Sequence, residues 1–142
     1  MLFRSHIEWP GRLPQNAWVE AFDWARQNMP RQALFALDPT HMNRPGEDSH
    51  GFRAFAERGM LADGVKDRAV AANIPELAYV WREQVRDLDP WRDFGLEGFR
   101  RPRQKYGVTW VVLEHGNTRV PPGVAGLPCP FANQAVRVCQ VE

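Results

Sequence analysis

Val108-Thr109-Trp110-Val111-Val112-Leu113 is the stretch that decides the fold. Each residue is β-branched, aromatic or otherwise apolar, which suits a pleated strand packed on both sides. A second run of this kind, Ala33-Leu34-Phe35-Ala36-Leu37, is short, continuous and closed by Asp38-Pro39. Strands without polar alternation are buried on both faces, and that places them inside a sheet covered by helices. Ala135-Val136-Arg137-Val138-Cys139-Gln140-Val141 alternates instead. It predicts a final antiparallel strand near an edge. Met60-Leu61-Ala62 carries a weaker strand signal.

Helices fill the intervals. Gln15 or Asn16 opens one that runs to about Met29 and is ended by Pro30, because the residue before proline is pushed out of the helical region. A short helix through Phe52, Ala54, Phe55 and Ala56 follows, capped by Asp48 or Ser49 and closed by Gly59. Asn73, Pro75 and Glu76 form a helix start, and Leu77, Val80, Trp81, Gln84, Val85 and Leu88 continue it at spacings of three and four. Residues 96–106 read as helix again, with Pro102 expected to kink or interrupt it. The expected fold is one α/β domain over residues 1–142, with residues 1–13 irregular. Its small mixed sheet has about three to four strands, covered by helices, and the 108–113 strand is central.

The chain's 142 residues and 16.3 kDa suit one domain with one core. A hydrophobic fraction of 44% with 25% charged residues excludes disorder throughout. The charges, 18 basic against 17 acidic, leave a net of +1, so a protein built to hold nucleic acid through bulk charge is excluded. No apolar run approaches the roughly 20 residues of a membrane span. The start, Met1-Leu2-Phe3-Arg4-Ser5-His6-Ile7-Glu8-Trp9-Pro10, lacks the apolar centre of a signal peptide. A chain complete as written is therefore expected in the cytoplasm. Of the six tryptophans, Trp18, Trp24, Trp81 and Trp110 fall in periodic segments and are expected in the core. Cys129 and Cys139 have neither Cys-x-x-Cys spacing nor histidines at zinc-finger distance, so no metal site or cofactor is read from them. A disulfide and two buried thiols both remain open.

Candidate chemistry gathers at two strand ends. Asp38 follows the first predicted strand, where open α/β sheets take ligands, and His41 and His50 lie in the polar loop after it. Glu114 and His115 follow the 108–113 strand. A carboxylate and an imidazole are acid–base partners if the two strands are neighbours, with Ser49 a candidate nucleophile. The alternative is a polar surface loop in which Asp and Ser side chains cap turns. Arg53, Arg58, Lys66 and Arg82 are candidate ligands for a phosphate, carboxylate or sugar derivative. Their plainer reading is a solvated face paired with Glu57, Asp63, Asp67, Glu83 and Asp87. Arg100-Arg101-Pro102-Arg103-Gln104-Lys105 is a short basic run of the kind that touches anionic partners or is simply solvated. The chain has no Gly-rich phosphate loop, Gly-x-Ser-x-Gly elbow or His-Glu-x-x-His.

Several of these features occur in a familiar order. Trp24 to Asn28 with Pro30, then Ala33-Leu34-Phe35, match a helix reading Trp-x-x-x-Asn-Thr-Pro before an apolar strand, with Met29 in place of Thr. Phe52-Arg53, Arg58, Lys66, Leu77 to Trp81, Arg82, Lys105-Tyr106-Gly107-Val108-Thr109-Trp110-Val111-Val112 and Val136-Arg137-Val138 continue the pattern. Over most of residues 16–141 the chain resembles the soluble C-terminal extracytoplasmic domain of polytopic bacterial membrane proteins related to the GT-C glycosyltransferases. Pro102 and the long 116–128 loop depart from that pattern. The catalytic carboxylates of GT-C enzymes sit in loops of the membrane part. The resemblance therefore implies an accessory or binding domain on the extracytoplasmic side, with a membrane-embedded region of a larger protein as partner. It also implies an apolar or basic docking surface, to which Trp9 and Trp91 would contribute. The competing expectation is a small hydrolase built on Asp38, His41, His50, Glu114 and His115.

Overall fold

The computed structural model describes residues 16–43, 49, 51–114 and 120–142. Asn16 starts the first helix, α1 (Ala17–Asn28), by accepting a hydrogen bond from the Trp18 N–H at 2.8 Å. The chain then forms β1 (Leu34–Leu37), α2 (Phe52–Ala56) and β2 (Gly59–Met60). Next come α3 (Lys66–Asn73), α4 (Pro75–Leu88) and α5 (Leu96–Tyr106). Three strands complete the fold: β3 (Trp110–Glu114), β4 (Phe131–Ala132) and β5 (Val136–Gln140).

The α/β class holds, and the sheet is mixed, but it has five strands rather than three to four, in the order β2-β1-β3-β5-β4. The weak signal at Met60-Leu61-Ala62 shares Met60 with β2, and the unexpected strand is β4, which at two residues is too short for any periodicity to register. β1 runs parallel to both β2 and β3, while β5 is antiparallel to β3 and β4. β3 is central, as its two-sided apolar character requires.

Alternation along β1 and β3 feeds two cores. Phe35, Leu37 and Val112 join Trp18, Phe22, Ala25 and Phe52 under α1 and α2. There the Phe22 and Phe52 rings lie 5.2 Å apart and the Phe35 and Phe52 rings 4.9 Å apart. Each such fully buried ring contributes about 2–3 kcal/mol. Ala36, Val111 and Leu113 face the other way, onto Leu88, Trp91, Phe94 and Phe99. Trp91, expected at the surface, is thus a core residue at 4% exposure. Trp81 is half-buried, its Nε1 donating to the Asp63 carbonyl at 2.8 Å.

Three local expectations change. The left-handed residue that ends α2 is Glu57 (φ 50°), not Gly59. Asn73 is the last residue of α3, with its amide bonded to the Ala69 carbonyl at 2.8 Å, and Ile74 precedes Pro75 at the start of α4. Pro102 does not break α5. Pro102 is buried, and Gly98 one turn earlier lies close against Phe94, whose ring a Cβ there would meet at 2.7 Å. The cysteines, left open by sequence, form the Cys129–Cys139 disulfide.

Candidate functional site

The order β2-β1-β3 makes the space between β1 and β3 a topological switch point. The connection from β1 to β2 runs through α2 over one face, and the one from β2 to β3 runs through α5 over the other. Ligands of open α/β sheets sit outside the carboxyl ends of the strands at such a point. Leu37 pairs with Val112, so Asp38 and Glu114 end neighbouring strands. The condition that the two strands be neighbours is therefore met.

The side chains there are largely occupied. Asp38 Oδ1 accepts from the Thr40 N–H at 2.8 Å and from the Thr40 hydroxyl at 2.7 Å, an Asx turn that reverses the chain after β1. Its Oδ2 lies 3.7 Å from Arg92 Nε, a partner the sequence did not suggest. His41 is buried at 2% exposure and stacks on Trp18, with ring centroids 6.0 Å apart. Its Nδ1–H donates to the Asp38 carbonyl at 2.8 Å. The Ser49 hydroxyl donates to the His41 carbonyl at 3.0 Å rather than capping α2. His50 and His115 lie outside the described residues. Gly64 closes this edge from the β2 side: its N–H donates to the Pro39 carbonyl at 2.8 Å, and a Cβ there would meet that oxygen at 2.9 Å.

The four candidate anion ligands do not converge. Arg58 is buried, and its guanidinium reaches the carbonyls of Arg26 (2.7 Å) and Met29 (3.2 Å) at the end of α1 and those of Ala56 (3.2 Å) and Glu57 (3.0 Å) at the end of α2. It gathers the negative ends of two helix dipoles. This lies before β2, at the amino edge of the parallel strands, whereas Arg53 sits at the carboxyl edge and bonds the Met60 carbonyl at 3.2 Å. Arg53 also forms a fork to both oxygens of Asp67, at 2.9 and 2.8 Å. Lys66 and Arg82 are exposed on α3 and α4.

Asp63 and Asp67 organise this corner, and the sequence reading took them only as charge partners. Asp63 is 1% exposed, and its Oδ1 accepts from the N–H groups of Val65 (2.7 Å) and Lys66 (2.6 Å) to cap α3. Asp67 accepts from the Asp63 N–H at 3.0 Å in return. The reciprocal pattern is that of a capping box at a spacing of four instead of three, which is why its signature was missed. Burial pushes the Asp67 carboxyl up. The Arg53 bond and charge and the Asp63 N–H outweigh it and hold the group below its ordinary value.

Beside this corner opens a groove of about 180 Å³ between β2, α3 and α4, with Arg53 and Asp67 at one end and Val70, Leu77, Val80 and Trp81 along it. Along and beside it the same helices leave Val70 (47%), Ile74 (42%), Leu77 (45%) and Val80 (45%) about half exposed. Only Ala71 of α3 and Leu88 of α4 are buried, so the helix pair reaches the second core through Leu88 at the end of α4 and leaves most of its length outside both cores. Among the described residues no three His, Cys, Asp or Glu side chains form a metal-holding group, and no helix is long and apolar enough to cross a membrane. No protein-family model, curated protein or solved structure matches the chain.

Proposed function

We propose that this chain is an accessory domain that acts by binding, with the α3–α4 pair docking against a membrane-embedded region of a GT-C-like protein. The observation that carries the reading is the apolar face of Val70, Ile74, Leu77 and Val80, which neither core covers. Exposed apolar faces of this kind mark interaction sites, which supports the reading, and the same two helices carry the exposed cations Lys66, Arg68 and Arg82. The Cys129–Cys139 disulfide supports an extracytoplasmic setting, where cystines persist. Arg53 and Arg58 then brace the domain instead of gripping a ligand.

The test is site-specific photo-crosslinking in membranes of cells expressing the full reading frame. The photoreactive residue replaces Ile74 or Val80, with Glu97 on α5 as control. Crosslinks from positions 74 and 80 into a membrane-embedded polypeptide segment are expected, and none from 97. Equal yields at all three positions, or products only with water-soluble proteins, overturn the proposal.

A second reading, a small hydrolase using the 38–50 loop with Glu114 and His115, is favoured by the β1–β3 register alone. It ranks second because His41 Nδ1 and Asp38 Oδ1 are spent on the turn after β1. Turnover of chromogenic carboxylic or phosphate esters, abolished in Glu114→Gln, would put it first.

A further inference from the structure

The basic run of α5 is taken apart by the fold. Arg100 pairs with Glu97 at 2.5 Å, and Arg103 donates to the Val141 carbonyl at 2.8 Å. Lys105 Nζ reaches Glu83 at 2.9 Å and Asp87 at 2.6 Å on α4. Arg101 is left, making no ion pair among the described residues, and it lines a cavity of about 430 Å³ between α4 and α5. That volume lies in the range of small-molecule sites.

The cavity has an apolar floor and a polar rim. Phe94 and Pro102 are both buried at its base. Gly98 and Pro102 fall four apart on α5, as do Arg101 and Lys105, so a small-residue stripe runs beside two cations. Opposite stands a fixed cluster. Asp87 Oδ2 accepts from both Lys105 Nζ and the Tyr106 hydroxyl, the latter at 2.8 Å, and Lys105 lies 5.1 Å above the Tyr106 ring. Burial pushes the Asp87 carboxyl up, but its bonds to Lys105 and Tyr106 keep it below its ordinary value and ionised at neutral pH. Burial and the Asp87 bond hold the Tyr106 phenol protonated. Arg101 and the Gln104 amide remain as donors facing the space, and the lining carries Arg101 and Lys105 against one carboxylate.

We infer that this cavity is a binding site for a ring-sized small molecule bearing one anionic group. The ring lies on Phe94 and Pro102, the anion is held by Arg101 and Gln104, and a ring hydroxyl can donate to Asp87. This assignment is independent of the docking proposed for the α3–α4 face. A cavity with an apolar floor and, among the described residues, a guanidinium without an ion pair at its rim selects a ring and a charge together.

The experiment is an NMR titration of the isotope-labelled chain with glucose 6-phosphate and phenyl phosphate as probes, and glucose and inorganic phosphate as controls. Saturable shifts of α4 and α5 amides around 87, 94, 101 and 104 are expected with at least one phosphorylated ring, and at least tenfold weaker binding of inorganic phosphate. Arg101→Gln is expected to weaken ring-phosphate binding at least tenfold at unchanged melting temperature, because the side chain is exposed and makes no ion pair among the described residues. Gln104→Ala, also exposed, is expected to weaken it less. Inorganic phosphate binding as well as the ring phosphates, shifts confined to other surfaces, no saturation up to about 10 mM, or unaltered affinity in Arg101→Gln would each overturn the assignment.

Discussion

Arg58→Ala separates a brace from a ligand grip. The guanidinium bonds four carbonyls, two at the end of α1 and two at the end of α2, and the residue is 8% exposed. Bonds to a charged group are worth about 1.5–3 kcal/mol when buried, but water can reach part of these helix ends once the side chain is gone. Charging each carbonyl at about 1 kcal/mol gives a loss of roughly 3–4 kcal/mol, in the range for a broken buried network. For a chain of this size that corresponds to a fall in melting temperature of about 10 °C. Arg58→Lys keeps the charge but not the planar fork, and should lose roughly half as much. Arg82→Ala, on an exposed α4 position, should stay within about 0.5 kcal/mol. Urea unfolding followed by tryptophan fluorescence, with the disulfide intact, measures all three. A loss below about 1 kcal/mol for Arg58→Ala, or an equal loss for Arg82→Ala, refutes the bracing argument.

Three further outcomes are expected. Removing the disulfide with Cys129→Ala and Cys139→Ala together should cost roughly 2.5 kcal/mol by loop entropy for a separation of 10 residues, read as a lower urea midpoint. Glu57→Gly should gain about 0.5 kcal/mol, because the position is left-handed at φ 50° and its Arg26 contact at 3.9 Å is exposed; calorimetry checks it. Stability should form a plateau between about pH 5 and pH 9. Asp67 and Asp87 titrate below their ordinary values when folded, despite burial, so their contribution is present above the unfolded values and lost as pH falls through the folded ones. Lys105, bonded to Asp87 and Glu83, and Tyr106, buried and bonded to Asp87, titrate above theirs, so their contribution is lost as pH rises through the folded values. Lys105→Met should flatten the alkaline limb of urea midpoint against pH, and an unchanged limb counts against the clamp.

What the residues made legible was whatever a single segment decides. β1 and β3 announced themselves because a strand covered on both faces must be apolar at every position, and Asn16 and Pro75 marked helix starts because those effects are local. β4 was illegible at two residues, since it is a strand only through its neighbour, and β2 showed only as the weak Met60-Leu61-Ala62 signal, which shares one residue with the observed Gly59–Met60. Glu57 was missed for a related reason. A left-handed turn usually selects glycine, and here a glycine stood two residues on, so the local rule pointed at the wrong position.

The neighbours and roles of the candidate site residues were not legible, and the cause is tertiary. The carboxyl ends of β1 and β3 are neighbours only because β2 pairs on the far side of β1, an order no stretch of sequence encodes. Arg58 carries the same charge pattern whether it holds a phosphate or caps a helix that ended about thirty residues earlier, and only the fold brings the Arg26 carbonyl to it. Arg53 is likewise claimed by Asp67, fourteen residues away. Arg58 is therefore spent on helix ends, and Arg53 on joining α3 to the end of β2. Charge and apolar surface that remain uncommitted lie farther out, at Arg101 over the α4–α5 cavity and on the α3–α4 face. Among the described residues the donors and acceptors at the carboxyl edge of the sheet are mostly occupied, which is why both proposals of binding rest on the helical layer.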